Sequence, residues 1–345
     1  MSFDKSILIF SEASSEIGLG HLIRCFELFK EFKTLTNHKI HFFSISKEET
    51  FKKLARSKDI NSLVDLTFFD KSTDQQIIEY ISTLSLDLDL VLFDTYFEHR
   101  ELRKYFSKQK CPSISLDYFY EDNLPDIVIN LFNHNRVPQE GLKQKTKVFS
   151  GGKYAIIRDE FKTISEKRGR LSIKEDIARC LILMGGSDPS SNTVKAISLI
   201  QNTFLAKGLP YTDIVVGPLF DSRLKHQIDT VLKDELKKYK IHNSPKYLEK
   251  LFLNTDLVFC GGGTSLLESM SLGIPTVVLP QSKEERNHAG HYAKKDCCFL
   301  VDNNDEVSNL LNYSYRSQLS ENSMKEIDFN GKERIINLAN KLLDG

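Results

Sequence analysis

The sequence predicts two α/β domains in succession, each built on a doubly wound parallel sheet. Three observations predict it. Short apolar runs alternate with amphipathic stretches along the chain, the pattern of parallel strands joined by helical crossovers. That series breaks once, over the charged residues 162–177 with Gly169 among them, and then starts again. The length of 345 residues exceeds what one core usually serves, so two domains of roughly 150 residues are expected.

In the first half, Ser6–Phe10 (SILIF), Lys39–Ile45 (KIHFFSI), Leu90–Phe93 (LVLF), Ser113–Leu116 and Ile127–Asn130 (IVIN) read as buried strands. Gly20–Phe32 and Glu98–Phe106 read as helices. In the second half the strands are Cys180–Met184 (CLILM), Asp213–Val216, Leu257–Cys260 (LVFC) and Thr276–Leu279, with helices over Thr193–Lys207 and Ser265–Leu272. The tail repeats Ile327, Ile335, Leu338 and Leu342 at helical spacing. The expected domains are residues 1–165 and 175–325, followed by a C-terminal helix in 326–345. A ligand-binding cleft between two such units is a recurrent arrangement.

Apolar residues make up 40% of the chain, enough for two cores, and Lys+Arg and Asp+Glu are both 47. The zero net charge gives no global field toward nucleic acid or an anionic membrane. Six cysteines show no CxxC spacing, and four lie in or beside apolar runs, which fits a reducing compartment. The N-terminal apolar run is only Ile7–Phe10, no cleavage pattern follows, and no stretch approaches the ~20 apolar residues of a membrane helix. These features predict a cytoplasmic, soluble protein without nucleic-acid partners or membrane insertion. Protein partners are not indicated either way.

Three glycine-bearing turns carry the chemistry. IGLGH, Ile17–His21, links the first strand to a helix bearing Arg24 and Cys25. Gly18 and Gly20 permit close ligand approach, and His21 sits at the helix N-terminus, where a neutral imidazole suited to act as a base is favoured over imidazolium. A tight turn with a capping His fits the same residues. MGGSDPSSNT, Met184–Thr193, is again a strand-to-helix turn: Gly185, Gly186 and Ser187 could meet a ligand, but on spacing alone an ordinary Asp-Pro-Ser helix cap fits better. CGGGTSLLES, Cys260–Ser269, places Gly261, Gly262 and Gly263 before a helix opened by Thr264 and Ser265. Its exposed amides and positive helix end suit a diphosphate, and Glu268, one turn further in, is placed to accept ribose hydroxyls. The absence of GK[ST] excludes a P-loop. Asp94 and Tyr96 follow a first-domain strand, while Gln281 and the segment EERNHAGH, with Asn287, follow the last clear strand. His288 and His291 lack a second ligand group, so no metal and no cofactor is expected.

The motifs IGLGHLIRC, LFDTYF, SGGKYAIIRDEF, MGGSDPSSNT and CGGGTSLLESMSLGIPTVVL, in this order over residues 5 to 302, resemble the UDP-sugar hydrolases of pseudaminic acid biosynthesis. They are similar also to the related spore-coat polysaccharide biosynthesis protein G family. The resemblance implies a GT-B fold and an enzyme that releases UDP from a UDP-2,4-diacetamido-trideoxy hexose with inversion. It implies His21 as the residue activating water, Tyr96 near the sugar, and Gly261–Ser265 with Glu268 on the nucleotide. The sugar side is expected to use Glu12, Gly18, Gly20, Arg24, Asp94, Tyr96, Gln281 and Asn287. This chain departs from the family where Phe10 and Glu12 stand for an Arg and an Asp before the IGxGH turn. An inverting glycosyltransferase, or a nucleotide-sugar-binding protein without turnover, fits the same motifs.

Overall fold

The computed structural model describes residues 5–14, 17–47, 66–70, 72–117, 124–131, 146–168, 173–235, 238–302 and 307–344. They form two compact units, one of residues 1–156 with 330–345 and the other of residues 157–329.

The first unit carries a seven-stranded sheet in the order β3-β2-β1-β4-β5-β6-β7, every pairing parallel. Its strands are β1 (Ser6–Glu12), β2 (Lys39–Ile45), β3 (Leu66–Phe68), β4 (Leu90–Asp94), β5 (Ser113–Leu116), β6 (Ile127–Asn130) and β7 (Lys147–Ser150). Helices α1 (Gly20–Leu35), α2 (Asp74–Thr83) and α3 (Arg100–Lys108) make the crossovers among the described residues. Strands buried on both faces read as continuous apolar runs rather than alternating ones, which is why β1 and β4 stand out in the sequence. Phe10, Phe43, Val91, Phe93, Leu102 and Phe106 share one core layer. Phe26, Phe29, Phe32 and Phe42 are buried as well, so the phenylalanine-rich α1 faces protein.

The second unit repeats the plan with six parallel strands in the order β10-β9-β8-β11-β12-β13. These are β8 (Arg179–Leu183), β9 (Tyr211–Val216), β10 (Tyr239–Asn243), β11 (Leu257–Cys260), β12 (Thr276–Val278) and β13 (Phe299–Leu300). Its helices are α4 (Asp159–Arg168), α5 (Asn192–Phe204), α6 (Ser222–Glu235), α7 (Thr264–Ser271), α8 (Lys283–Ala293) and α9 (Tyr313–Glu326).

One organisational expectation changes. The charged stretch placed as a linker at 162–177 begins inside α4, whose Phe161 and Ile164 are buried; its charges are the solvated face of an amphipathic helix, and the units divide between Ile156 and Ile157. Gly169 lies outside the described residues. The expected C-terminal helix is α10 (Gly331–Leu343), which returns to the first unit. There Lys332 Nζ sits 3.0 Å from Glu31 Oε2 and 3.9 Å from Glu27 Oε2 on α1, a buried charge cluster that fixes the returning helix. Among the described residues no helix is long and apolar enough to cross a membrane.

Candidate functional site

In open parallel sheets, ligands bind beyond the carboxyl ends of the strands where the strand order reverses. In the first unit that point lies between β1 and β4, in the second between β8 and β11. Each is where the glycine-bearing turns stand.

In the first unit, the β1–α1 turn closes on itself through paired hydrogen bonds between Ser14 and Gly18. Gly18 has φ of 76°, a conformation that favours glycine. The turn delivers Gly20 and His21 to the start of α1. His21 Nδ1–H donates to Asp94 Oδ1 at 2.7 Å; this tautomer leaves Nε2 as the basic nitrogen, with no partner among the described residues. Its side chain is 19% exposed, whereas Asp94 at the end of β4 is fully buried.

Asp94 is held by more than His21. Arg24, one turn along α1, donates from Nε to Asp94 Oδ2 at 2.5 Å and from Nη2 to Oδ1 at 2.6 Å, and its Nη1 lies 3.0 Å from Asp117 Oδ2 after β5. Burial works against charge on Asp94, but Arg24 and His21 outweigh it and hold its carboxyl well below the usual range. Arg24 is raised in turn: burial opposes its charge, and Asp94 and Asp117 outweigh that. Burial, opposed by Arg24 and reinforced by Asp94, pushes Asp117 up to about 6. Arg24 and Asp94, expected on the sugar side, are buried and paired with one another. Asp117 was not singled out in the sequence; it sits in a short apolar strand's exit with no motif to mark it.

Glu12 is likewise buried and paired. Its Oε2 accepts the amides of Tyr96 and Phe97 at 2.7 and 3.0 Å, and its Oε1 accepts from His99 Nε2. His99 Nδ1 meets Asp74 Oδ1 at 2.6 Å. Burial opposes charge on His99, but its bonds to Asp74 and Glu12 prevail and raise it to about 9. The clamp fixes a loop on which Tyr96 is 43% and Phe97 53% exposed. Tyr96 is thus partly exposed, whereas Glu12 is buried. Phe10 packs edge-on against Phe93 and His99 in the core beneath the clamp.

In the second unit, three strand-to-helix turns are cross-linked. Asp188 accepts the amides of Asn192 and Thr193 at 2.8 and 2.7 Å, which makes MGGSDPSSNT a helix cap for α5; Gly185, Gly186 and Ser187 form the turn before it. Gln281 Nε2 donates to Met184 O at 2.7 Å and to Ser187 O at 3.4 Å, which ties it to that turn, while its Oε1 is buried with no partner among the described residues. Glu285 Oε2 accepts the amides of Gly262 and Gln281 at 2.9 and 2.8 Å. A Cβ on Gly262 would lie 2.4 Å from the Glu285 carbonyl oxygen, so packing against α8 alone requires that glycine. Asn287, two residues on, is exposed.

Gly263, Thr264 and Ser265 are partly exposed at the start of α7. Their amides have no hydrogen-bond acceptor among the described residues, which leaves a row of donors at a positive helix end. Glu268 is 2% exposed, and Arg158 grips it with Nε to Oε1 at 2.5 Å and Nη2 to Oε2 at 2.8 Å. Its carboxylate, expected beside the ribose, is thus held in a buried ion pair. Arg158 belongs to SGGKYAIIRDEF but had no role assigned from sequence, since its partner is 110 residues away.

No protein-family model matches the chain. It is 28% identical over 304 residues to an uncharacterised protein of Methanocaldococcus jannaschii, covering 84% of this chain and 58% of that protein; the chain thus spans little over half of that relative's length. It is 25% identical over 293 residues to the spore coat polysaccharide biosynthesis protein SpsG of Bacillus subtilis, covering 83% and 80% of the two chains. Among solved structures, MurG of Acinetobacter baumannii superposes with a TM-score of 0.65 at 12% identity, over 98% of this chain and 99% of that one. MnaA of S. aureus with UDP gives 0.67 at 13%, over 99% and 97%. UDP-GlcNAc 2-epimerase of Neisseria meningitidis bound to UDP-GlcNAc gives 0.60 at 14%, over 97% and 100%. The fold is GT-B, with two Rossmann-like units.

Proposed function

We propose that the chain is a GT-B enzyme acting on a nucleotide-sugar, and that it releases UDP from an amino-sugar donor by attack of water at the anomeric carbon. The observation that carries the reading is the His21–Asp94 pair: a buried carboxylate fixes Nδ1–H, so Nε2 is free to act as a base at the switch point of the sheet. Water gives its proton to His21 Nε2 as its oxygen bonds to the anomeric carbon. The bond from that carbon to the diphosphate oxygen breaks on the opposite face, so the configuration inverts. The imidazolium that forms is stabilised by Asp94.

The second unit serves the leaving group. Amides of Gly263, Thr264 and Ser265, with the positive end of α7, face developing charge on the diphosphate without needing to reorganise. Support for a nucleotide-sugar comes from the solved structures of like fold that hold UDP or UDP-GlcNAc. The relation to SpsG supports a surface-polysaccharide context. The finer identification, a 2,4-diacetamido-trideoxy hexose in a pseudaminic-type route, rests on the order of the five motifs.

The likeness to glycosyltransferases of known structure supports a second reading in which His21 deprotonates an acceptor alcohol. Incubation of UDP-linked diacetamido sugars without acceptor, followed by NMR, separates the two. Free sugar of inverted anomeric configuration is expected. UDP release that requires an added alcohol would replace hydrolysis by transfer.

A further inference from the structure

We propose that Glu285 is a phosphate-binding residue that takes up a proton when an anionic phosphate seats on the Gly261–Ser265 turn. This rests on the reading of that turn as the diphosphate site. Glu285 Oε2 already accepts Gly262 N–H and Gln281 N–H. The other oxygen, Oε1, lies 3.3 Å from where a Cβ of Gly261 would stand and 3.4 Å from that of Gly263. It therefore borders the turn at the amides that would receive phosphate, and it accepts no hydrogen bond among the described residues.

The charges around it do not neutralise it. From the β8–α5 turn it faces Asp188, itself committed to capping α5. From β11 it neighbours Cys260, which Glu268 of α7, itself gripped by Arg158, also neighbours. On its own helix lie Lys283, Glu284, Arg286 and His288; Arg286 pairs with Asp302. Among the described residues no cation stands within ion-pair distance of Glu285. Burial raises its carboxyl above the ordinary range; the Gln281 and Gly262 amides oppose the rise and Asp188 adds to it.

A phosphate oxygen brought beside Oε1 would place two anions together at low dielectric, and such pairs share a proton rather than both remain charged. The proton comes from solvent and binds Oε1, and Oε1–H then donates to the phosphate oxygen. Oε2 keeps its two amides, and no other bond changes. The resident carboxylate thus becomes a donor only when the ligand arrives.

Calorimetry of UDP-GlcNAc binding in buffers of different ionisation enthalpy tests this, because the sugar's diphosphate diester does not titrate between about pH 6 and 8. Uptake approaching one proton per site is expected for the wild type and none for E285Q, which preserves the amide-accepting oxygen. Wild-type affinity is expected to fall by up to about tenfold per pH unit over that range, with E285Q flat. Binding without proton uptake in the wild type, or equal uptake in E285Q, overturns the proposal and leaves the nucleotide site standing. E285Q that binds at no pH would make Glu285 a brace only. Wild-type protein that binds neither UDP-GlcNAc nor UDP overturns the nucleotide site and this proposal with it.

Discussion

His21 Nδ1 lies 2.7 Å from Asp94 Oδ1, and the same carboxylate is bound by Arg24 through two nitrogens. In the proposed reading His21 transfers a proton and Asp94 selects its tautomer. His21→Ala is expected to lower turnover by roughly 10²–10⁴-fold with UDP affinity unchanged. Asp94→Asn, which can present a donor to Nδ1 and so misplace the proton, should approach the same loss. Turnover and UDP affinity measured side by side check both, and near wild-type turnover in His21→Ala removes the base.

The Glu12–His99–Asp74 clamp makes stability depend on pH. His99 is raised from 6.5 to about 9 in the fold. A group raised on folding stabilises fully below its unfolded value and loses that contribution as pH climbs through its folded value. Stability should therefore fall between about pH 6.5 and 9, by at most ~3 kcal/mol if the whole shift is expressed. His99→Asn should be less stable at the acidic end and nearly flat across the window. Urea midpoints of both proteins at the two ends decide it.

Arg158 and Glu268 form a buried pair with both partners hydrogen-bonded. Removing one partner strands a charge, and such losses run to about 3–5 kcal/mol. Arg158→Met should cost that much, while Arg158→Met with Glu268→Leu should recover most of it. Arg158→Lys should fall between, because a point charge cannot reproduce the fork. Denaturant unfolding of the three variants is the measurement, and a double variant as unstable as Arg158→Met would show that stranded charge is not the cause.

Much of this was legible in the sequence for a physical reason. Buried parallel strands leave unbroken apolar runs, so β1, β4, β8 and β11 announce themselves, and the turns that follow them must lie at the strand ends. His21 could be placed at a helix start because its motif is local. What could not be read was which polar side chains are spent on one another. Asp94, Glu12 and Gln281 look from sequence like groups facing a ligand, yet their partners are 73, 87 and 97 residues away, and only the packed sheet reveals the pairing. β3 and β10 escaped notice because a three-residue strand and a largely exposed one carry little apolar signal.

The glycines of CGGGTSLLES separate packing from binding. A Cβ at Gly262 would stand 2.4 Å from the Glu285 carbonyl oxygen, a backbone atom that moves only if α8 moves. A Cβ at Gly263 would come no closer than 3.4 Å, and then to the Glu285 side chain. Gly262→Ala is thus expected to destabilise the second unit by ~1–3 kcal/mol through overpacking, and to weaken UDP binding as the turn shifts. Gly263→Ala should leave stability within about 0.5 kcal/mol, since it meets only a movable group. If the turn seats a phosphate, however, that methyl lies beside the free amides, and UDP affinity should drop at unchanged melting temperature. Thermal unfolding and UDP titration of the two variants read the terms apart. Gly263→Ala with full UDP affinity would mean that close backbone approach at this position is not used by the ligand.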